Sequence, residues 1–486
     1  MSIRRAALWS LAAQYASFAI QFATSVVISR LFLLPADVGL FSIALAAAMV
    51  VSIFQDMGIS RFVTGQPAMR EDHVRDYAAV AVGIGWAVAA VVALAAVPLE
   101  RFYGEAGLAT LVLIIAAAYV AIPLGIVPAA LLTRRMDFKA LFFANAGSAL
   151  VGGGVAVATA AAGAGPASLA WGMLATAVVK LALVQRGAPV LPRWPRDHAV
   201  VRPMLGFGGA TFILSLSGSL GLRSQDLIVG RLLGMAATGL FTRAGALAGQ
   251  MSMLVVGAIN AVFYPAFARK RDAGEPLAAP YLHLVACNTA LQWPAAVGLA
   301  LAAEPVVYLL YGPNWMDVAP LLRWTALAEI FFVAIPLQMD IPILLGRIKT
   351  LVWVNLIDTA LTVALLATFC LWGVEAAALS RIATGALWFA IYAVLLCRLL
   401  ELPIGAAALT YAKSGMCALA AGLPLALARW FGWFGDDIGF VPLVGLVAAG
   451  GLCWLATLPL VRHPFWGEVQ LGLAQVPFLR PTRHGA

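Results

Sequence analysis

Arg223 stands inside a long apolar run, and the polar residues around it keep helical spacing: Ser215 and Ser219 precede it at intervals of four, and Asp226 follows three later. An arginine at the centre of a membrane helix costs at least ~2.5 to 3.5 kcal/mol on insertion scales, so it needs a partner, a water-filled cavity or a ligand. Twenty residues on, Arg243 shares a helix face with Gln250 and adds a second cation. The guanidinium fork donates paired hydrogen bonds, which suits phosphate, so the pair points to an anionic ligand. An early apolar run carries Gln14, Ser17, Gln21 and Ser25 at comparable spacing and offers a second polar stripe. Two structural readings stay open: Arg223 and Asp226 can neutralise each other as i, i+3 neighbours, and polar stripes can bond helices together. Asp358, inside another apolar run, and Asp226 are carboxylates able to carry a coupling proton or sodium ion, or to pair with a nearby arginine. Of the remaining cations within apolar runs, Arg61, Lys180 and Lys413 fall near run ends, where long side chains snorkel, whereas Arg323 and Arg381 lie about a turn or more inside.

The elements that position these residues follow from composition. The chain has 486 residues, 63% of them hydrophobic and 11% charged, with a mean hydropathy of +0.95. That excludes a soluble domain and indicates an all-α integral membrane protein, since the apolar runs are roughly 20 residues long. About fourteen spans are expected, near 6–29, 40–62, 77–98, 107–129, 141–162 and 167–185, then 206–230, 239–262, 282–303, 318–341, 350–372 and 376–398, with a last pair near 406–428 and 440–461.

The chain also repeats itself. Arg30-Leu31 and Gly39-Leu40-Phe41 return as Arg231-Leu232 and Gly239-Leu240-Phe241, and Ile122-Pro123-Leu124, Leu131-Leu132 and Arg134 return 213 residues later as Ile335-Pro336-Leu337, Leu344-Leu345 and Arg347. The repeats match span 1 to 7 and span 4 to 10, so two six-helix lobes are expected. An even number of spans per lobe sets their pseudo-two-fold axis along the membrane normal. The expected organisation is an N-lobe over 1–186, a cytoplasmic linker over 187–205, a C-lobe over 206–400, and two further spans with a cytoplasmic tail over 401–486.

With the N-terminus inside, inner loops and tails hold twenty Lys and Arg against four outside, which orients the chain with both termini cytoplasmic. The net charge of +9 therefore reports topology rather than a nucleic-acid partner. Outer loops of about ten residues at most leave no room for a catalytic module. The five histidines show no metal-ligand spacing, the five cysteines fall in apolar segments, and no P-loop pattern occurs, so neither metal, cofactor nor ATP-driven chemistry is expected. Gly152-Gly153-Gly154 is read as close helix packing.

The run Asp226-Leu227-Ile228-Val229-Gly230-Arg231-Leu232-Leu233-Gly234 with Gly239-Leu240-Phe241-Thr242-Arg243-Ala244 resembles the polysaccharide transporter family, the Wzx-type oligosaccharide-lipid flippases of bacterial inner membranes. These sit in one superfamily with multidrug and toxin extrusion proteins and the lipid II flippase. Similar stretches are Asp56-Met57-Gly58-Ile59-Ser60, Phe263-Tyr264-Pro265-Ala266-Phe267-Ala268-Arg269, and Tyr311-Gly312-Pro313-Asn314-Trp315 with Ala319-Pro320-Leu321-Leu322. The resemblance implies alternating access by two lobes and a cationic cavity for the diphosphate of an undecaprenyl-linked oligosaccharide, moved from the cytoplasmic to the periplasmic face. It also implies a pathway in which a polymerase and a chain-length regulator act on the same polymer, be it exopolysaccharide, capsule or O-antigen. Carried onto this sequence, Arg223 and Arg243 become cavity cations, and Arg30 and Arg231 match span-end arginines. A cation-coupled multidrug antiporter of the same architecture is the alternative, although cationic drugs would prefer an acidic cleft. A membrane polymerase or glycosyltransferase fits less well, because such enzymes need sizeable outer loops.

Overall fold

A bilayer offers no hydrogen-bond partner to backbone N–H and C=O groups, so an apolar chain that crosses it satisfies them within helices. In the computed structural model, which describes residues 3–55, 59–65, 71–193, 209–433 and 439–475, helices account for the regular structure and no strand occurs among the described residues. Eleven of these helices are long and apolar enough to cross a membrane. Two more, Gly209–Leu233 and Met235–Asp272, have the length to span, and an interrupted one over 318–344 completes the fourteen. Large apolar side chains such as Leu94, Leu150, Trp353 and Leu452 stand well exposed on them, as lipid-facing positions require. The linker from 194 on, Asp56, and the tail from 476 lie outside the described residues, as do the side chains of Arg61 and Ser215.

The chain divides into two compact units, Met1–Thr242 and Arg243–Ala486. In the first, α1 (Ile3–Leu31) packs on α6 (Phe138–Ala161), and α6 on α7 (Ala167–Gly187). Glycines allow these approaches: a Cβ at Gly152 would sit 1.8 Å from Thr176 Oγ1, and one at Gly153 2.4 Å from Thr24 Oγ1. Helices α2 (Pro35–Ser52), α4 (Glu71–Tyr103) and α5 (Leu108–Arg134) enclose a core around Ile43, Leu111, Val112, Ile115 and Tyr119, and α3 (Ile59–Gly65) packs on α4 and α5 in a second cluster around Ile59, Val63 and Val127. The span expected over 40–62 is thus two helices, α2 ending at Ser52 and α3 resuming at Ile59. Helix α8 (Gly209–Leu233) lies against α2.

The repeated Gly-Leu-Phe stretch explains itself here. Gly234, at φ +86°, turns the chain straight from α8 into α9 (Met235–Asp272). The start of α9 then meets its own repeat partner: a Cβ on Gly39 would fall 1.8 Å from the Met235 carbonyl oxygen, and a Cβ on Gly239 1.9 Å from that of Pro35. The two copies touch through equivalent glycines, and no larger residue fits at either place.

In the second unit, α10 (Ala278–Leu301) packs on α16 (Ile404–Trp430) and on α12 (Val318–Phe332), and α12 on α15 (Val374–Leu400). Between α10 and α12 lies the short α11 (Ala303–Tyr311). The expected span over 318–341 breaks at 333–339 before α13 (Asp340–Leu344), and α14 (Ile348–Cys370) follows against α15. Helix α17 (Phe440–Leu460) lies on α16, and α18 (Phe465–Gln475) follows within the expected tail.

A chain of hydrogen bonds ties that last corner together. The Nδ1 of His463 accepts from the Phe465 amide at 3.1 Å, which leaves the ring proton on Nε2, 3.0 Å from Ser414 Oγ. The Ser414 hydroxyl in turn donates to Thr289 Oγ1 (2.7 Å), and Thr289 donates to the Val285 carbonyl (2.7 Å). Burial, with Lys413 and His283 nearby, pushes the His463 pKa down to about 4, so this ring is neutral.

Candidate functional site: the intramembrane charges

Each charge inside an apolar helix must be neutralised, solvated or used, and the structure sorts the candidates by their neighbours. In the second unit, the Arg381 guanidinium on α15 pairs with Glu329 of α12 at 3.3 Å and lies 5.5 Å from the Phe332 ring centroid. Arg323 of α12 pairs with Glu304 in the first turn of α11, and Arg429 at the end of α16 donates to both oxygens of that carboxylate at 2.8 and 3.1 Å. Burial raises the Glu304 pKa, but the Arg429 hydrogen bonds and the two guanidinium charges outweigh it and hold the group below its usual value. Lys413 donates to the Arg462 carbonyl at 3.0 Å. Lys180 stands exposed on α7.

Arg223 differs. It is half-buried on α8 with Ser219 one turn before it, and among the described residues it forms no ion pair. Its charge acts on the phenol of Tyr119, a buried residue of α5 whose hydroxyl bonds Ser52 of α2. Gln55, just past the end of α2, donates to the Tyr119 carbonyl at 3.3 Å. That carbonyl is available because Pro123, four residues on, has no N–H to offer it. Among the described residues, Arg223 therefore acts on a neutral phenol. Asp226, one turn further along α8, accepts from Thr242 Oγ1 at 3.0 Å.

The other expected site residues are more scattered. Gln14 and Gln21 lie exposed on α1, with Ser17 and Ser25 half-buried beside them. Arg231 stacks at 5.1 Å over the Phe102 ring, and the neighbouring Tyr103 donates to the Leu227 carbonyl at 3.1 Å, so this span-end arginine joins α8 to the end of α4. In the second unit Arg243 sits over two buried rings, 5.8 Å from the Tyr311 centroid and 5.9 Å from that of Trp315, and hydrogen-bonds the Tyr311 hydroxyl. Gln250 is half-buried on the same helix. Asp358 is half-buried on α14, within electrostatic reach of the buried Tyr392 hydroxyl, to which Asn355 donates at 3.3 Å. Among the described residues, no group of three His, Cys, Asp or Glu could hold a metal ion.

Residues 27–320, more than half of the chain, match the family described as polysaccharide biosynthesis protein. The chain belongs to that family. Its relatives include the succinoglycan biosynthesis transport protein ExoT of Rhizobium meliloti (strain 1021), 25% identical over 73% of this chain and 72% of that one. Another is the lipopolysaccharide biosynthesis protein WzxC of Escherichia coli (strain K12), 24% identical over 59% of this chain and 58% of its own length. Among solved structures, the lipid II flippase MurJ in an inward closed conformation aligns with a TM-score of 0.74 at 14% identity, covering 95% of this chain and 99% of that one. An inward-facing multidrug resistance MATE transporter aligns with a TM-score of 0.61 at 15% identity, over 79% and 96%. At these identities the structures establish a shared transporter fold. The family and its relatives place the chain among multi-pass membrane transport proteins of polysaccharide biosynthesis, which are not enzymes.

Three members of the Arg223 surroundings escaped the sequence reading: Tyr119, Ser52 and Gln55. Ser and Gln are common in apolar spans, and Tyr119 lies over a hundred residues from Arg223, so only Pro123, which frees a carbonyl, could have drawn attention to that turn. Tyr311 and Trp315 were legible as a family signature, but not as the seat of Arg243.

Proposed function

We propose that this family member is a flippase that moves an undecaprenyl-diphosphate-linked oligosaccharide from the cytoplasmic to the periplasmic face of the bacterial inner membrane. The observation that carries this reading is Arg223: a guanidinium inside a membrane helix, within electrostatic reach of a neutral phenol and with no ion pair among the described residues, has the capacity to bind a doubly charged headgroup. Arg243 and Gln250, with Gln14, Gln21 and Ser219, are the further candidates for the path of diphosphate and sugar. The two lobes over 1–186 and 206–400, joined by 187–205 and related by an axis along the membrane normal, alternate access, and both termini face the cytoplasm. Asp358 and Asp226 are the candidates for coupling to a proton or sodium gradient. A polymerase and a chain-length regulator would receive the exported unit.

The test is reconstitution in vesicles with an undecaprenyl-diphosphate oligosaccharide, scoring how much headgroup becomes accessible on the opposite face. Wild-type protein is expected to accelerate the exchange and Arg223→Ala to slow it about 100-fold. The MATE-like fold supports a second reading, antiport of small organic cations. Gradient-driven uptake of a cationic dye with no movement of the lipid-linked sugar would replace the first reading by that one.

A further inference from the structure

The repeat places one motif, Ile-Pro-Leu, at equivalent points of two membrane helices, and the two copies fold differently. Ile122-Pro123-Leu124 lies inside the unbroken α5, whereas Ile335-Pro336-Leu337 lies in the break between α12 and α13. The motif by itself therefore permits both outcomes, and the surroundings choose.

In the broken copy, four carbonyls are taken by side chains of neighbouring helices. Trp293 Nε1 donates to Ile330 at 2.9 Å, Asn288 Nδ2 to Val333 at 2.5 Å, Tyr411 Oη to Ala334 at 3.0 Å, and Tyr281 Oη to Pro336 at 3.1 Å. The Trp293 and Tyr411 rings stack at 5.8 Å, and Gln292 donates to Asn288 Oδ1, which orients that amide. In an unbroken helix the same four carbonyls would accept from the backbone amides of Ala334, Leu337, Gln338 and Asp340, one partner for one. The Phe332 and Gln338 carbonyls would go without, since Pro336 and Pro342 have no N–H. Leu337 meanwhile is held at φ +57°, a conformation that costs an L-residue with a side chain roughly 1 to 2 kcal/mol. The broken form thus exchanges helix hydrogen bonds for side-chain ones at some backbone strain.

The continuous copy shows the alternative. There Trp86 Nε1 donates to Val120, the counterpart of Val333, at 3.2 Å, and Gln55 and Gln185 donate to Tyr119 and Leu124 at 3.3 and 3.1 Å, yet the helix runs on to Arg134. The two glutamines cover carbonyls freed by Pro123 and Pro128, four residues beyond Tyr119 and Leu124, without opening the turn.

We propose that residues 333–339 are a hinge that passes between the broken helix and a continuous one, and that Tyr281, Asn288, Trp293 and Tyr411 are the catch that holds it broken. Hinges fall at a few loop or element-terminal residues, and here each of the four carbonyls has one partner in either packing. The hinge follows from the repeat and its hydrogen bonds, whatever the chain carries.

The experiment uses full-length protein in nanodiscs labelled with 5-fluorotryptophan, with the Trp293 resonance assigned through Trp293→Phe. Trp293 belongs to the catch, so its fluorine reports the two forms directly. Tyr281→Phe removes one catch hydrogen bond and is expected to shift the population about five-fold toward the continuous form. Leu337→Gly relieves the strained φ, disfavours the helix, and is expected to shift it about ten-fold the other way. If Tyr281→Phe does not fold, Pro336→Ala, which restores an amide for the Phe332 carbonyl, takes its place with the same expected sign. One Trp293 resonance at the same position in wild type and in both oppositely directed variants overturns the hinge.

Discussion

Arg223 and Arg381 are both half-buried arginines on long apolar helices, one in each unit, yet their surroundings are opposite. Arg381 faces Glu329 at 3.3 Å and an aromatic ring. Arg223 faces Tyr119, whose own partner is Ser52. Both arrangements answer the same requirement, that a charge in a membrane be compensated, but among the described residues only the first includes an ion pair. The difference gives a test of the proposed roles: removing one partner of a buried pair leaves an uncompensated charge, whereas an arginine with no ion pair among the described residues is the better candidate for an anion.

The comparison can be broken most forcefully at the pair. Arg381→Ala leaves Glu329 buried without its cation and is expected to cost about 3 to 5 kcal/mol of stability, read as a lowered thermal midpoint in detergent. Replacing both partners, Arg381→Met with Glu329→Leu, should recover most of that loss, and failure to recover would remove Arg381 from the structural class. Next comes Arg223→Ala, expected to lower headgroup translocation about 100-fold, the loss of roughly two charge-assisted hydrogen bonds, while the thermal midpoint stays near wild type. A large drop in stability with little effect on transport would reverse the assignment and put Arg223 with Arg381.

A smaller effect is expected at His463, a titratable group kept neutral by burial. Its folded pKa, near 4, lies below the ordinary histidine value, so the unfolded chain binds more protons between about pH 4 and 6.5. Stability should therefore rise with pH across that window, and His463→Gln should flatten the slope in a pH series of thermal midpoints. The smallest effect belongs to Arg429, which is 43% exposed where it meets Glu304. Arg429→Ala is expected to cost less than about 1 kcal/mol at neutral pH. Because the Glu304 pKa is depressed, that contribution is present above the ordinary glutamate range and fades as acid protonates the carboxyl, so wild type and variant should converge at low pH.

Much of this was legible in the residues. The spans follow from apolar runs of bilayer length, the two-fold repetition from prolines, glycines and arginines kept in register, and the interest of Arg223 from its depth and the helical spacing of Ser219 and Asp226. Less legible was which charges would find each other. Glu304 and Arg429 are 125 residues apart, and Arg381 is 52 from Glu329; no local pattern announces either pair. Spacing also left an Arg223–Asp226 pair open; Asp226 accepts from Thr242 Oγ1, a contact that no local pattern announces.

The sequence by itself determined the membrane class, the helices and their duplication, because hydrophobic length and residue identity act locally and survive any arrangement of the chain. It also determined that Gly39 and Gly239 recur, though not that they recur because they touch. Only the tertiary structure decided which arginines are neutralised, and whether an Ile-Pro-Leu motif stays helical or breaks. Those outcomes depend on side chains that arrive from distant helices, Glu329 for Arg381 and Tyr281, Asn288, Trp293 and Tyr411 for the break, and a hydrogen bond or ion pair takes effect only where folding brings its two partners within reach.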